Sequence, residues 1–222
     1  MVSSDRTNRK PCVLITGFGR FPGAAFNPSA PLARALSHLH RPALSGVRLI
    51  GHVFPTSYDA VDRELPMLLE KYRPDIVLMF GVAPRSKAVR IETRAHNVFS
   101  HFPDAKRLSP GRRKIIAGAK ASLPGRAPFQ RMLHATRAAQ HGSVLSRNAG
   151  GYLCNYVYWR ALEAARRPDG PTTVAFVHVP PCRSGAARLR PTAKGISAAG
   201  LRRISEAILA AMIADLSKAR AD

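Results

Sequence analysis

The sequence predicts a single-domain α/β protein, a three-layer α/β/α sandwich around a mainly parallel, twisted sheet. Three observations carry that expectation. Short runs such as 11–17, 75–82 and 174–179 are almost continuously apolar, as in strands buried on both faces. Between such runs lie stretches whose apolar residues recur at helical spacing. The two kinds alternate along the chain, the pattern of βα units that build a parallel sheet. At 222 residues the chain is long enough for one full core, and no linker, repeat or low-complexity segment divides it. Residues 1–222 are therefore expected to form one domain, with 1–10 a polar tail.

Taken in order, Pro11–Gly17 reads as the first strand and 18–28 as a Gly/Pro-rich loop. Ser29 is expected to cap a helix carrying Leu32, Ala35, Leu36 and Leu39. Gly46–Phe54 is the second strand. Ser57–Tyr72 is a helix in which Pro66 should introduce a kink or mark the true start. Asp75–Val82 is the third strand. Alternation over Ala88–Phe99 suggests an extended segment or hairpin. Residues 100–128 form a basic, proline-containing surface excursion. Phe129–His141 reads as a helix, Ser143–Leu145 as a short strand and Tyr152–Arg166 as a helix. Thr172–Val179 follows as a strand, Arg183–Lys194 as a basic loop and Ile196–Lys218 as a closing helix. Loops at the carboxyl ends of the strands should carry the site, and Gly17, Gly81, Gly150 and His178 are expected at such ends.

Composition narrows the function classes. No apolar run approaches the roughly 18–20 residues needed to span a bilayer, and 1–10 lack the apolar stretch of a secretory signal, so a soluble cytoplasmic protein is expected. Three cysteines without framework spacing argue against a disulfide scaffold, and no ligand spacing suggests a metal. The balance of 35 Lys+Arg against 13 Asp+Glu gives a formal charge of +22. Such a charge favours non-specific attraction to nucleic acid, yet the basic stretches 85–131 and 183–203 lack the interleaved aromatics of a base-stacking surface.

The chemistry centres on 147–159, RNAGGYLCNYVYW. Two glycines permit a tight turn, and Cys154 falls where a helix begins, among unpaired N–H groups that favour a thiolate. His178, in the apolar run VAFVHVPP, stands near the end of the next strand and can serve as its base. Glu92, one of two acids between Arg85 and Arg160, can orient that imidazole. Residues alone leave the alternatives open: an inert buried cysteine, a satisfied core histidine, and a salt bridge of Glu92 with Arg90 or Arg94. The loop Gly17–Gly23 lacks phosphate-loop spacing; Phe18 and Phe21 instead suggest walls for a small apolar ligand, or packing beneath the first helix.

Together these pieces resemble the pyroglutamyl peptidase type I (pyrrolidone-carboxylate peptidase) family of cytosolic cysteine peptidases. Thr16-Gly17-Phe18-Gly19-Arg20-Phe21 with Asn27-Pro28-Ser29 is similar to the family's Thr-Gly-Phe-x-Pro-Phe-Gly-Gly and Asn-Pro-Ser opening. Asn148-Ala149-Gly150-Gly151-Tyr152-Leu153-Cys154-Asn155 resembles its nucleophile motif, and Phe176-Val177-His178-Val179-Pro180 its Phe-x-His-x-Pro. Ile91-Glu92 with Ala95 and Asn97 resembles Glu-Arg-Val-Ala-x-Asn. The resemblance implies a phosphorylase/hydrolase-like sandwich that removes amino-terminal 5-oxoproline through a Glu92–Cys154–His178 triad and an acyl-enzyme. It further implies Phe18 and Phe21 around the lactam with Asn27 in the binding loop, no metal or cofactor, and dimers or tetramers. The chain departs from the family pattern at Gly81–Ser86 and at Ser100–Asp104, where His101 replaces an arginine thought to polarise the scissile carbonyl. His101 is thus expected to support the oxyanion. Two other readings stand beside this one: a family member whose altered site has changed specificity or low activity, and a basic nucleic-acid-binding protein on the same fold.

Overall fold

A computed structural model of the chain describes residues 9–20, 26–138, 142–182 and 196–221. The elements follow the expected alternation. They are β1 (Cys12–Phe18), α1 (Ser29–Ser37), β2 (Arg48–Phe54), α2 (Tyr58–Tyr72), β3 (Ile76–Val82), β4 (Val89–Glu92), β5 (Arg94–His96), β6 (Ser122–Pro124), α3 (Phe129–Ala138), β7 (Ser143–Ser146), α4 (Leu153–Ala164), β8 (Thr173–Val179) and α5 (Ala198–Ala221). The basic loop expected over 183–194 lies outside the described residues, as does Phe21.

Six strands form one sheet in the order β2-β1-β3-β8-β4-β7. Neighbours are parallel except β4 and β8, which run antiparallel. Because side chains alternate across a strand, each central strand feeds two cores. Val13, Ile15, Ile76, Leu78, Phe80, Ala175, Val177 and Val179 meet α1, α3 and α5 through Leu36, Met132, Ile204 and Ile208. Leu14, Val77, Met79, Val174 and Phe176 meet α2 and α4 through Val61, Leu65, Leu153, Val157 and Leu162. Helices on both faces explain why these strands show no polar alternation.

Several local expectations change. Ser29 is the first residue of α1 rather than its cap; its hydroxyl accepts the Phe18 N–H at 3.0 Å and so ties the helix start to the end of β1. Pro66 sits inside a helix that begins eight residues earlier, so it does not mark the start. The 88–99 segment is not a hairpin: β4 joins the main sheet, and β5 pairs with β6 in a separate two-stranded ladder. The antiparallel β4 also overturns the common-edge expectation for Gly150. β7 runs alongside β4 and opposite to β8, so its carboxyl end points away from that of β8, and the loop after Ser146 must bring the chain back to the site.

The 100–128 excursion is packed down. Asp104, buried, accepts the backbone N–H groups of Lys106 (2.9 Å), Leu108 (3.0 Å) and Tyr58 (3.2 Å). The Asn97 side chain donates to the Ile116 carbonyl and accepts its N–H, while Ile115 and Leu123 enter the core facing α2 and α4. No helix among the described residues is long and apolar enough to cross a membrane, and no group of three metal-binding side chains occurs among them.

Candidate active site

Strand parity places the site. On β4, Val89 and Ile91 enter one core, so Arg90 and Glu92 face the other, toward α4. On β8 the same face carries Phe176 and His178. The antiparallel register sets Arg90 opposite His178 and Glu92 opposite Phe176, which makes Glu92 and His178 diagonal neighbours. The His178 Nδ1 lies 2.9 Å from Glu92 Oε1. Both residues are buried.

The nucleophile candidate reaches this pair from α4. Asn148 Oδ1 accepts the Gly150 N–H at 2.9 Å, and Gly150 takes φ +80°, a left-handed conformation that favours glycine. The turn delivers Tyr152 as the N-terminal flanking residue of α4, with no side chain capping the first helical N–H groups. Asn155, fully buried, accepts the His96 N–H at 2.8 Å and donates to the carbonyls of His96 (2.8 Å) and Val98 (3.2 Å). It fixes the helix start to β5. Cys154 then projects to the sheet at Gly81, where a Cβ on the glycine would stand only 2.6 Å from Sγ. Gly81 pairs with His178 in register, so its missing side chain is what admits the thiol beside the imidazole.

Electrostatics favour a protonated imidazole. Burial alone would pull His178 down, but the charge of Cys154 and a hydrogen bond to it, followed by the hydrogen bond and charge of Glu92, raise it from 6.5 to about 9. The Cys12 thiol is pushed up chiefly by burial, and so is that of Cys182; neither has an imidazole partner among the described residues. Among the described residues Glu92 Oε2 is buried without a hydrogen-bond partner, whereas Oε1 also accepts Arg90 Nε at 3.2 Å. The Tyr158 hydroxyl donates to the Glu92 backbone carbonyl at 2.9 Å and holds the strand end in place.

The remaining expected site residues divide. Phe18 is buried, 3 % exposed, with its ring 5.9 Å from that of Phe54; it forms a floor rather than an open wall. The Asn27 amide closes its own loop, donating to the Gly19 carbonyl and accepting from the Ser29 N–H and hydroxyl. His101 is exposed, and its ring has no hydrogen bond among the described residues. Its carbonyl accepts the Ser109 hydroxyl. His101 follows Ser100, whose N–H is bound to the Gly151 carbonyl in the turn before α4.

In sequence Arg90 counts only as a salt-bridge alternative for Glu92, and Gly81 and Tyr58 are given no role at the site. Arg90 had a legible signal, two residues from Glu92 on a strand and thus on its face. Gly81 was noted only as a strand end. Tyr58 gave no signal: its ring packs edge-on against Phe99, Tyr152 and Tyr156. Its hydroxyl is buried without a well-aligned hydrogen bond, although Ser100 lies close enough to favour its ionised form. Burial first, then the neighbouring Tyr152, outweighs Ser100 and holds the phenol protonated.

With this geometry in place, comparison with known proteins is specific. A family model described as pyroglutamyl peptidase matches residues 11–218. The pyrrolidone-carboxylate peptidase of Thermococcus litoralis is 31% identical over 169 residues, 76% of this chain and 76% of that protein. Pyrrolidone-carboxylate peptidase 1 of Ralstonia nicotianae is 30% identical over 171 residues, 77% of this chain and 78% of that protein. The solved structure of the T. litoralis pyrrolidone carboxyl peptidase superposes with TM-score 0.84 at 25% identity, covering 94% of this chain and 96% of that one. That of a Pyrococcus furiosus pyrrolidone carboxyl peptidase mutant gives 0.81 at 25% identity, covering 92% and 99%.

Proposed function

The chain belongs to the pyroglutamyl peptidase family of cysteine hydrolases, and from that premise we propose that it cleaves the amide bond after an amino-terminal 5-oxoproline through Cys154, His178 and Glu92. The observation that carries the reading is a buried imidazole engaged by the Glu92 carboxylate at 2.9 Å, with the Cys154 sulfur seated at Gly81, the residue paired with His178 in register.

The geometry supports the following steps. Nδ1 of His178 is engaged by Glu92, which leaves Nε2 to take the thiol proton. The Cys154 sulfur attacks the carbonyl carbon following the lactam ring, forming a C–S bond. The first N–H groups of α4, uncapped by any side chain, stabilise the oxyanion together with the positive end of the helix. As the C–N bond breaks, the imidazolium gives its proton to the leaving amine. Water then attacks the thioester with His178 as base, releasing 5-oxoproline and the thiol. Glu92 keeps the imidazole in the correct tautomer and offsets its charge during both transfers. The lactam lies over the Phe18 floor, beside the Asn27 side chain that is bound to the Gly19 carbonyl.

The test is fluorophore release from a pyroglutamyl-aminocoumarin by the wild type and by Cys154→Ser. Release by the wild type, abolished by the substitution and by prior thiol alkylation, is expected. Equal release by both proteins, or none by the wild type, overturns the assignment. The exposure of His101 favours a second reading in which turnover is low or the preferred acyl group differs. A large gain in turnover on His101→Arg would support it. Self-association into dimers or tetramers belongs to the same proposal, and sedimentation equilibrium checks it.

A further inference from the structure

Arg90 makes contacts that a simple ion pair does not need. Its Nε donates to Glu92 Oε1 at 3.2 Å. Its Nη2 donates to Ser146 Oγ and to the Asn148 carbonyl, each at 2.7 Å. The three acceptors come from three places: β4, the end of β7, and the loop that leads to Cys154. Beyond Arg90 the connection continues, since Asn148 Oδ1 accepts the Gly150 N–H in the left-handed turn, and Ser146 Oγ accepts the Asn148 N–H at 3.3 Å. One planar guanidinium therefore joins the acid that holds His178 to the turn that presents Cys154.

The need for such a link follows from the topology. β7 runs opposite to β8, so strand direction does not carry the chain from Ser146 back to the site. A six-residue loop, 147–152, does so. Loops of this kind are positioned by side-chain hydrogen bonds to their backbone. The rigid fork of arginine suits the task, because it reaches several acceptors at fixed angles while its charge remains on the carboxylate.

We propose that Arg90 is a positioning residue of the catalytic centre, whose guanidinium ties the Glu92 carboxylate to the 146–150 turn and so sets the separation of imidazole and thiol. The proposal rests on the Cys154–His178–Glu92 reading and adds a fourth member that acts through the other three. Arg90 draws on the oxygen that His178 also uses, while Oε2 of the carboxylate stays bare. This arrangement orients the carboxylate at one oxygen rather than spreading its hydrogen bonds over two.

The experiment compares wild type, Arg90→Ala and Arg90→Lys in two assays: pyroglutamyl-aminocoumarin turnover, and alkylation of Cys154 by iodoacetamide without substrate. The Arg90 side chain is 33% exposed, so a small ion can enter the space left by truncation. Arg90→Ala is expected to lose roughly ten- to a hundredfold in kcat, as for a thiol misplaced by up to about 1 Å, with KM changed less than about twofold. Alkylation should slow in parallel, and sub-denaturing guanidinium should restore both rates where sodium chloride at equal ionic strength does not. Arg90→Lys, which keeps the charge but loses the fork, should remain below wild type.

Wild-type rates in Arg90→Ala, or a loss that guanidinium does not restore better than salt, would overturn the proposal. Should Arg90→Ala fail to fold, a folded Arg90→Lys with wild-type turnover would overturn it too. A wild type that alkylates rapidly at Cys154 yet releases no fluorophore would refute the pyroglutamyl reading instead. The alkylation comparison would then still decide the role of Arg90.

Discussion

Replacing Gly81 with alanine adds one methyl group at the point where sheet and nucleophile meet. Its Cβ would stand 2.6 Å from Cys154 Sγ and 2.8 Å from Phe176 Cζ. Comfortable contacts lie at about 3.5–4.0 Å, so the sulfur must retreat by about 1 Å. Phe176 cannot easily absorb the strain, since it is fully buried between Tyr158 and His178. A misplacement of that size costs about a hundredfold in rate, or roughly 2.7 kcal/mol of transition-state stabilisation. Overpacking should lower stability by about 1–3 kcal/mol. The assay is kcat and KM for pyroglutamyl-aminocoumarin, with thermal unfolding to confirm the folded state. Gly46→Ala is the control, because a Cβ there meets nothing within 4 Å. A folded Gly81→Ala retaining kcat within about twofold of wild type would refute the placement of the thiol against β3.

Other outcomes follow from the same contacts. Asp75 is buried and accepts from Arg9 (3.0 Å), Arg220 (2.8 Å) and the Cys12 N–H (2.8 Å). Asp75→Ala should cost about 2–3 kcal/mol in urea unfolding, allowing for the partial exposure of both arginines, while kcat per folded molecule stays unchanged. Asn155→Ala strips three hydrogen bonds from a buried site and should cost roughly 2–4 kcal/mol, with faster amide exchange at His96. The pH dependence of stability has a definite sign. His178 is raised from 6.5 to about 9 on folding, so its contribution is full below about pH 6.5 and is lost as pH rises through about 9. Urea midpoints should fall across that window in the wild type and fall less in Cys154→Ser, where the thiolate that raises the imidazole is gone; equal slopes would contradict the pairing.

The layers of the fold and the family resemblance were legible because both rest on local pattern. Continuous apolar runs mark strands covered on both faces, and a glycine turn before Cys154 marks a helix start. What escaped was long-range pairing. Nothing in 88–99 announces that β4 enters the sheet antiparallel to β8, since a four-residue strand reads the same in either direction. That reversal is what sets Arg90 opposite His178 and leaves β7 pointing away from the site. The path of 100–104 is fixed by contacts of Asp104 and Ser100 that no local pattern encodes. Ser29 looks like a cap in sequence, whereas its hydroxyl, with the Asn27 side chain, closes the β1–α1 connection.

The most direct measurement traps the covalent intermediate. The protein is mixed with a pyroglutamyl ester, quenched in acid within the first turnover and digested, and its peptides are weighed. The account predicts one added pyroglutamyl group on the peptide containing Cys154, absent from Cys154→Ala and formed far more slowly in His178→Ala. A modified peptide bearing Cys12 or Cys182 instead, or release of the acid with no adduct on any cysteine under conditions that preserve thioesters, would contradict it.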